Sequence, residues 1–226
     1  MDEKPLGMRV GESVFCAGYL VFALLAGLCF VWRTQTDMTG YSWACAAMTF
    51  LLGCGDAFHL VPRILHNIRG KTRDEDERRR RNFWLGLGNL VSSVTMTLFY
   101  ILLFDAMALG PGLSATPAPS WVRTVLIVLA ILRIALCLPP QNRWFDGDGS
   151  HSWGIYRNVP FLAMGVVTVV YLVACYGAWL PAGLVVVSFS CYMGVVLYTR
   201  DRPALGMLMI PKTVCYIWLI ALFLRA

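Results

Sequence analysis

One short stretch concentrates the residues that do chemistry. Residues 53–66 read Gly-Cys-Gly-Asp-Ala-Phe-His-Leu-Val-Pro-Arg-Ile-Leu-His. With Asp56 set at 0° and a helical step of about 100°, His59 falls near 300°, Arg63 near 340° and His66 near 280°. The four side chains share an arc of about 80°, a polar stripe on an otherwise apolar helix. Asp56 and His59 are three residues apart, a spacing at which helical side chains can meet. A carboxylate beside an imidazole orients the ring and favours its charged form, which suits a general acid/base couple. The alternative is an internal hydrogen bond between packed helices. Asp56 and His59 also supply two ligands of a metal site, but His66 lies about 10 Å further along the axis. No HExxH occurs, and no other span contains a His. We therefore expect no metal and no cofactor.

Other polar residues fall at a matching depth. The elements that carry them are seven apolar stretches, at about 13–32, 43–66, 83–107, 121–138, 159–178, 183–199 and 205–224. Each is long enough to cross a hydrocarbon core of roughly 30 Å. Asn82 and Asn89 start the third span, and Ser92 and Ser93 follow near its middle. Arg133 sits close to the end of the fourth, Arg157 and Asn158 at the mouth of the fifth, and Lys212 about two turns into the seventh. With alternating spans, all of these share one leaflet with His59, Arg63 and His66. Only Asp105 lies near the opposite surface, where Arg123 is the expected partner. Polar groups inside a membrane are costly and need a partner or a task. Two accounts remain open. Arg63 and Arg133 can snorkel to the interface while Asp56 neutralises one cation. Alternatively, Arg63, His66, Asn89, Arg133, Arg157 and Lys212 line a cavity for an anionic group such as a lipid phosphate. Gly53, Gly55 and Ala57 allow a neighbouring helix to come close, and Pro62 weakens the ladder that follows.

Composition supports the spans. The 226 residues are 58% hydrophobic and 14% charged, against roughly 25% charged in a soluble domain. Mean hydropathy is +0.63. A soluble enzyme, a disordered chain and a disulfide scaffold are excluded. So is a β-barrel, whose strands would alternate. The expectation is one all-α, polytopic transmembrane bundle over residues 1–226. The first apolar stretch is too long for a signal peptide and has no cleavage site after it.

Placing the 67–82 connection inside puts thirteen Lys and Arg on that side: Lys4, Arg9, Arg69, Lys71, Arg73, Arg78 to Arg81, Arg143, Arg157, Arg200 and Arg202. Three lie outside: Arg33, Arg123 and Arg225. This bias predicts a cytosolic N-terminus, an outer C-terminus and a plasma-membrane location. The net charge of +6 is spent on topology and anionic headgroups, so membrane lipids are the expected partners and nucleic acid is not.

The eight cysteines lie in or beside spans and act as small apolar residues. Residues 110–120 are rich in Pro, Gly and Ser and predict a flexible connector. Asp146-Gly-Asp-Gly-Ser150 starts like a calcium loop, but His151 stands at its sixth position and Arg157 at its twelfth, so it is not one. His151 is expected to be exposed. There is no phosphate-binding loop, nucleophile elbow or dinucleotide fingerprint.

At Gly55-Asp56 the chain resembles the YhhN (lysoplasmalogenase-like) membrane family. The resemblance continues through Leu85-Gly86-Leu87, Phe99-Tyr100 and Phe104, then Tyr198 to Pro203, Tyr216 and Leu219-Ile220. It implies a helical membrane hydrolase that cleaves the vinyl-ether bond of lysoplasmalogens. Of the family's catalytic acids only Asp56 carries over, because Ser190-Cys191 stands where the family has Ser-Asp. The last span lacks the family's Gln, and seven spans replace its usual eight. The expected function is an integral membrane protein with a cytosol-facing polar site that processes a lipid or an anionic amphiphile, with Asp56 and His59 moving protons. A proton-coupled or small-molecule transporter, and a sensor or scaffold without catalysis, are the alternatives.

Overall fold

The computed structural model describes residues 6–36, 40–69, 74–110, 119–146, 149–199 and 202–225. These form seven long helices: α1 (Leu6–Arg33), α2 (Tyr41–Arg69), α3 (Glu75–Leu109), α4 (Ser120–Cys137), α5 (His151–Ala174), α6 (Trp179–Tyr198) and α7 (Met209–Arg225). Short 3-10 turns cover Pro140–Asn142 and Pro203–Leu208, and no strand occurs among the described residues. All seven helices are long and apolar enough to cross a membrane. The chain is an integral, multi-pass membrane protein.

The surface agrees with that placement. Leu24, Leu25, Val128, Ile131, Val166 and Val170 are exposed, so the outward faces are apolar, while Asp56, Arg133 and Lys212 are buried. Water would reverse this arrangement. Short connections and local contacts bring one set of helix ends together. Arg123 at the start of α4 grips Asp105 near the end of α3, with bonds of 2.8 and 3.0 Å, which meets the expectation for that carboxylate. Tyr171 near the end of α5 packs against Phe104 and Trp121. Tyr41 at the start of α2 donates to the Phe223 carbonyl near the end of α7. Trp32, Trp43, Trp121 and Trp179 lie at this end, all exposed. Such a ring of tryptophans is characteristic of a membrane interface. The other end carries the arginines at 78–81 and Arg143.

Consecutive helices pack side by side, and α7 returns to α1 and α2, closing the bundle. The α2–α3 contact is the most extensive. Two glycines set it. A Cβ on Gly55 would lie 2.0 Å from Thr95 Oγ1, and one on Gly88 would lie 2.4 Å from the Phe58 carbonyl oxygen. That oxygen is the one Pro62, lacking an N–H, leaves without its helical donor. A third glycine, Gly86, fits against the Trp144 carbonyl in the connection before α5.

The helices run past several expected boundaries. α3 begins at Glu75 instead of near 83, so most of the expected 67–82 loop is helix. Asp74 caps it by accepting from the Asp76 N–H, and Glu75, Asp76 and Glu77 complement its dipole. Charge ends a membrane span without ending the helix. α1 likewise starts at Leu6, which makes Glu12 helical, and α5 starts at an exposed His151. Of the expected topology charges, Lys4, Lys71, Arg73 and Arg200 lie outside the described residues, as do most of the 110–120 connector and Asp148.

The glycine contact yields a stability test. Gly88→Ala should cost about 1–3 kcal/mol through overpacking against a backbone carbonyl. Gly183→Ala, which meets nothing within 4 Å, should be neutral or slightly stabilising. Thermal unfolding in detergent micelles distinguishes them, and equal shifts would refute this account of the α2–α3 contact.

Candidate functional site

The polar layer forms where helices of different direction reach one depth. Asp56 lies fifteen residues into α2 from the tryptophan end, and Arg133 and Tyr192 each lie thirteen into α4 and α6. From the same end, Tyr19 is fourteen residues into α1 and Lys212 thirteen into α7. At 1.5 Å per residue, all are roughly 20 Å from that end. The sequence placed Asp56, Arg133 and Lys212 at a shared depth, and the fold turns all three into the bundle.

Asp56 is the junction of three helices. Tyr19 in α1 donates to its Oδ2 at 2.8 Å, and Ser92 in α3 donates to its Oδ1 at 3.1 Å. Each carboxylate oxygen therefore has a hydroxyl donor. No hydrogen bond or ion pair joins Asp56 to His59 among the described residues, although their spacing permits one. The close approach of α1 and α3 brings the two hydroxyls to the carboxylate first. His59 is left with a buried Nδ1 that has no partner. It sits where the Gly88 contact presses α3 against the α2 backbone, for a Cβ there would also lie 2.7 Å from the His59 Cα.

A row of aromatic hydroxyls continues from this junction. Tyr100 and Tyr216 hydroxyls are 3.3 Å apart, in α3 and α7. Tyr192 in α6 donates to Asn158 Oδ1 at 2.9 Å, and Asn158 donates on to the Gly154 carbonyl. Lys212 Nζ lies 5.4 Å from the ring centres of both Tyr192 and Tyr216. The Arg133 guanidinium carbon lies 3.2 Å from the ring centre of Phe161. These are cation–π distances.

The other expected binding residues divide. Arg63 is held by Glu12 at 2.5 Å, with their side chains 26% and 10% exposed. Arg9 donates to the Asn67 carbonyl and Asn67 to Ser13, so the same ends of α1 and α2 are laced together. Arg157 donates to Asn142 Oδ1 at 2.8 Å and lies 4.0 Å from the Trp144 ring centre. His66 is half-buried one turn beyond Arg63, apart from the Asp56 layer. Asn89 is exposed on the outside of the bundle. Gly88 pins α3 to α2, and one helical step of about 100° carries the next side chain away from that contact.

Several residues of this region escaped the sequence reading. Tyr19 and Tyr192 resemble ordinary interfacial or core aromatics, and only their mid-span depth marks them. Glu12 was placed ahead of the first span. Asn142, fully buried, donates to the Leu136, Cys137 and Pro139 carbonyls and so closes the end of α4. A Pro-Pro-Gln-Asn sequence signals a turn but not that role.

A cavity of about 250 Å³ lies beside the junction, between α1, α2 and the start of α7. Met8, Phe15, Leu60 and Ile210 give it apolar walls, the Glu12–Arg63 pair supplies a charged edge, and Tyr19 lines it too. The hydroxyl of Tyr19 thus links the cavity wall to Asp56. Chemically, a carboxyl group joined to a phenol at 2.8 Å can hold or pass a proton. Among the described residues no group of three or more His, Cys, Asp or Glu could hold a metal ion.

The junction should show coupled energetics. Tyr19→Phe and Ser92→Ala should each cost about 0.6 kcal/mol, up to about 1.7, the range for such bonds between membrane helices. The double variant should lose more than the sum, because Asp56 then has neither donor. Strict additivity in micelle unfolding would show that the carboxylate does not depend on the pair. No family model, no curated protein and no solved structure matches the chain.

Proposed function

We propose that this protein is a membrane enzyme that hydrolyses a single-chain amphiphile, with Asp56 as its proton-transfer group. The observation that carries the proposal is the cavity wall formed by Tyr19, whose hydroxyl is bonded to the buried carboxylate. The apolar walls suit a lipid chain, and the Glu12–Arg63 edge suits a polar head. The charge bias among the connections supports a cytosolic position for the end that carries Arg63.

The resemblance at Gly55-Asp56 points to a vinyl ether as the scissile group. Its hydrolysis needs a proton at the β-carbon and water at the α-carbon. The hemiacetal so formed breaks into an aldehyde and an alcohol, and the proton returns to the base. One carboxyl group can give and recover that proton. On this reading Tyr19, bonded to Asp56, relays it, and Ser92 holds the carboxylate in position. His59, within a turn of Asp56, is a second group that can accept a proton.

Purified protein in nanodiscs, given a 1-alkenyl lysophospholipid, should release the corresponding aldehyde. Asp56→Asn should lower kcat by about 10²- to 10⁴-fold, the usual worth of a general acid/base, while its elution and melting profiles stay near the parent's. A parental rate in Asp56→Asn would refute the assignment. Absence of turnover together with substrate-dependent proton movement in proteoliposomes would replace the enzyme with a transporter using the same carboxylate.

A further inference from the structure

We propose that Arg133 and Lys212 form an interior seat for one oxyanion, a phosphate or carboxylate group. The proposal is independent of whether Asp56 does chemistry. It rests on a charge imbalance. Arg133 is 1% exposed, Lys212 6% and Asp56 9%, and these are the buried charged residues among those described. Two cations thus share the interior with one carboxylate. Among the described residues, neither cation has a carboxylate within ion-pair distance. Asp56 already accepts from Tyr19 and Ser92.

Arg133 is the stronger half of the argument. Its Nε and Nη1 are buried and have no hydrogen-bond partner. The Phe161 ring meets the guanidinium at 3.2 Å, but a ring face offers no lone pair to those N–H groups. Leaving charged donors unsatisfied in a low-dielectric interior is costly, and buried charges are ordinarily paired. Lys212 stands in the same layer, with its Nζ 5.4 Å from the ring centres of both Tyr192 and Tyr216. These rings hold the ammonium in place without cancelling its charge. Arg63 is neutralised by Glu12. Arg157 donates to Asn142 Oδ1 and also keeps a buried Nε without a partner, but it lies at the mouth of α5, outside the Arg133–Lys212 layer. An oxyanion accepting from Arg133 and facing Lys212 would satisfy the free donors and leave the layer with a balanced charge. Guanidinium groups are well matched to phosphate and carboxylate oxygens.

The anion can be a free ion or the head of an amphiphile, and binding experiments separate these sources. Thermal unfolding of the purified protein in neutral nanodiscs is measured with inorganic phosphate, with lysophosphatidate and with neutral monoacylglycerol. A concentration-dependent rise in Tm is expected with a phosphate-bearing probe and not with monoacylglycerol. A rise with both phosphate probes identifies the free ion as sufficient, and a rise with lysophosphatidate alone identifies a headgroup. Lys212→Met and Arg133→Met should each weaken binding by about 10- to 100-fold. Neither should melt below the parent without ligand, because each removes a buried unpaired cation. Lys212→Arg, which keeps the charge, should retain the shift and serves if a methionine variant fails to fold. No stabilisation of the parent by either phosphate probe, or undiminished stabilisation in both methionine variants, would overturn the proposal.

Discussion

The backbone contact between α2 and α3 controls what the rest of the bundle can do. Within lipid there is no hydrophobic force to drive one apolar helix against another, so close packing must hold them. Gly55 and Gly88 remove the side chains that would keep these helices apart. The gain is more than dispersion energy. It brings Ser92 within 3.1 Å of Asp56, and the Phe58 carbonyl, deprived of a donor by Pro62, is covered by a glycine. Gly53 does the same more loosely on the α1 side, where its Cβ would meet Ala23 at 3.0 Å. With α1 drawn in, Tyr19 completes the carboxylate's shell. A larger residue at either tight glycine would therefore disturb both packing and polar satisfaction.

That shell explains how a carboxylate is kept inside a membrane protein without an arginine touching it. Two hydroxyl donors are neutral and bring no second charge to desolvate. The tyrosine also contributes a ring that packs with the core, so one residue serves both demands. The cations of the layer make no ion pair with the carboxylate and rest against aromatic faces. Rings accept a guanidinium or ammonium while keeping the surroundings apolar. The consequence is a layer in which opposite charges are near in depth yet form no ion pair, which is unusual in a protein interior.

Much of this architecture was legible in the sequence. Apolar length marked all seven spans, because lipid leaves a chain few ways to satisfy its backbone other than helices. Small residues marked the face of α2 that a neighbour would approach. Depth counting brought Asp56, Arg133 and Lys212 to one level. What escaped depended on rotation and on neighbours. The stripe on α2 grouped Asp56, His59, Arg63 and His66, yet its members contact different partners: hydroxyls, α3, Glu12 and the basic end. A helical wheel shows which residues share a face but not which helix meets that face. Asn89 lay at a suitable depth and turned outward for the same reason. Helix ends were underestimated wherever charge entered, since Glu12 and Glu75 leave the apolar pattern without leaving the helix.

The division of labour among the cations follows from how far each reaches from the layer. Arg63 and Arg157 have neutralising or hydrogen-bonding partners near the helix ends, where Glu12, Asn142 and Trp144 are within reach. Arg133 and Lys212 lie deeper, and the groups available to them are rings and hydroxyls. A pair of cations held only by aromatic faces is costly to bury. On the proposal of an oxyanion seat, the aromatic cradle, the single carboxylate and the free guanidinium donors make a layer that a negative group would complete. Asp56 has its own donors, so a guest anion and the carboxylate need not compete for the same hydrogen bonds. The proposed binding and proton transfer would then occupy adjacent positions in one layer, with the α2–α3 contact holding the Asp56 side rigid.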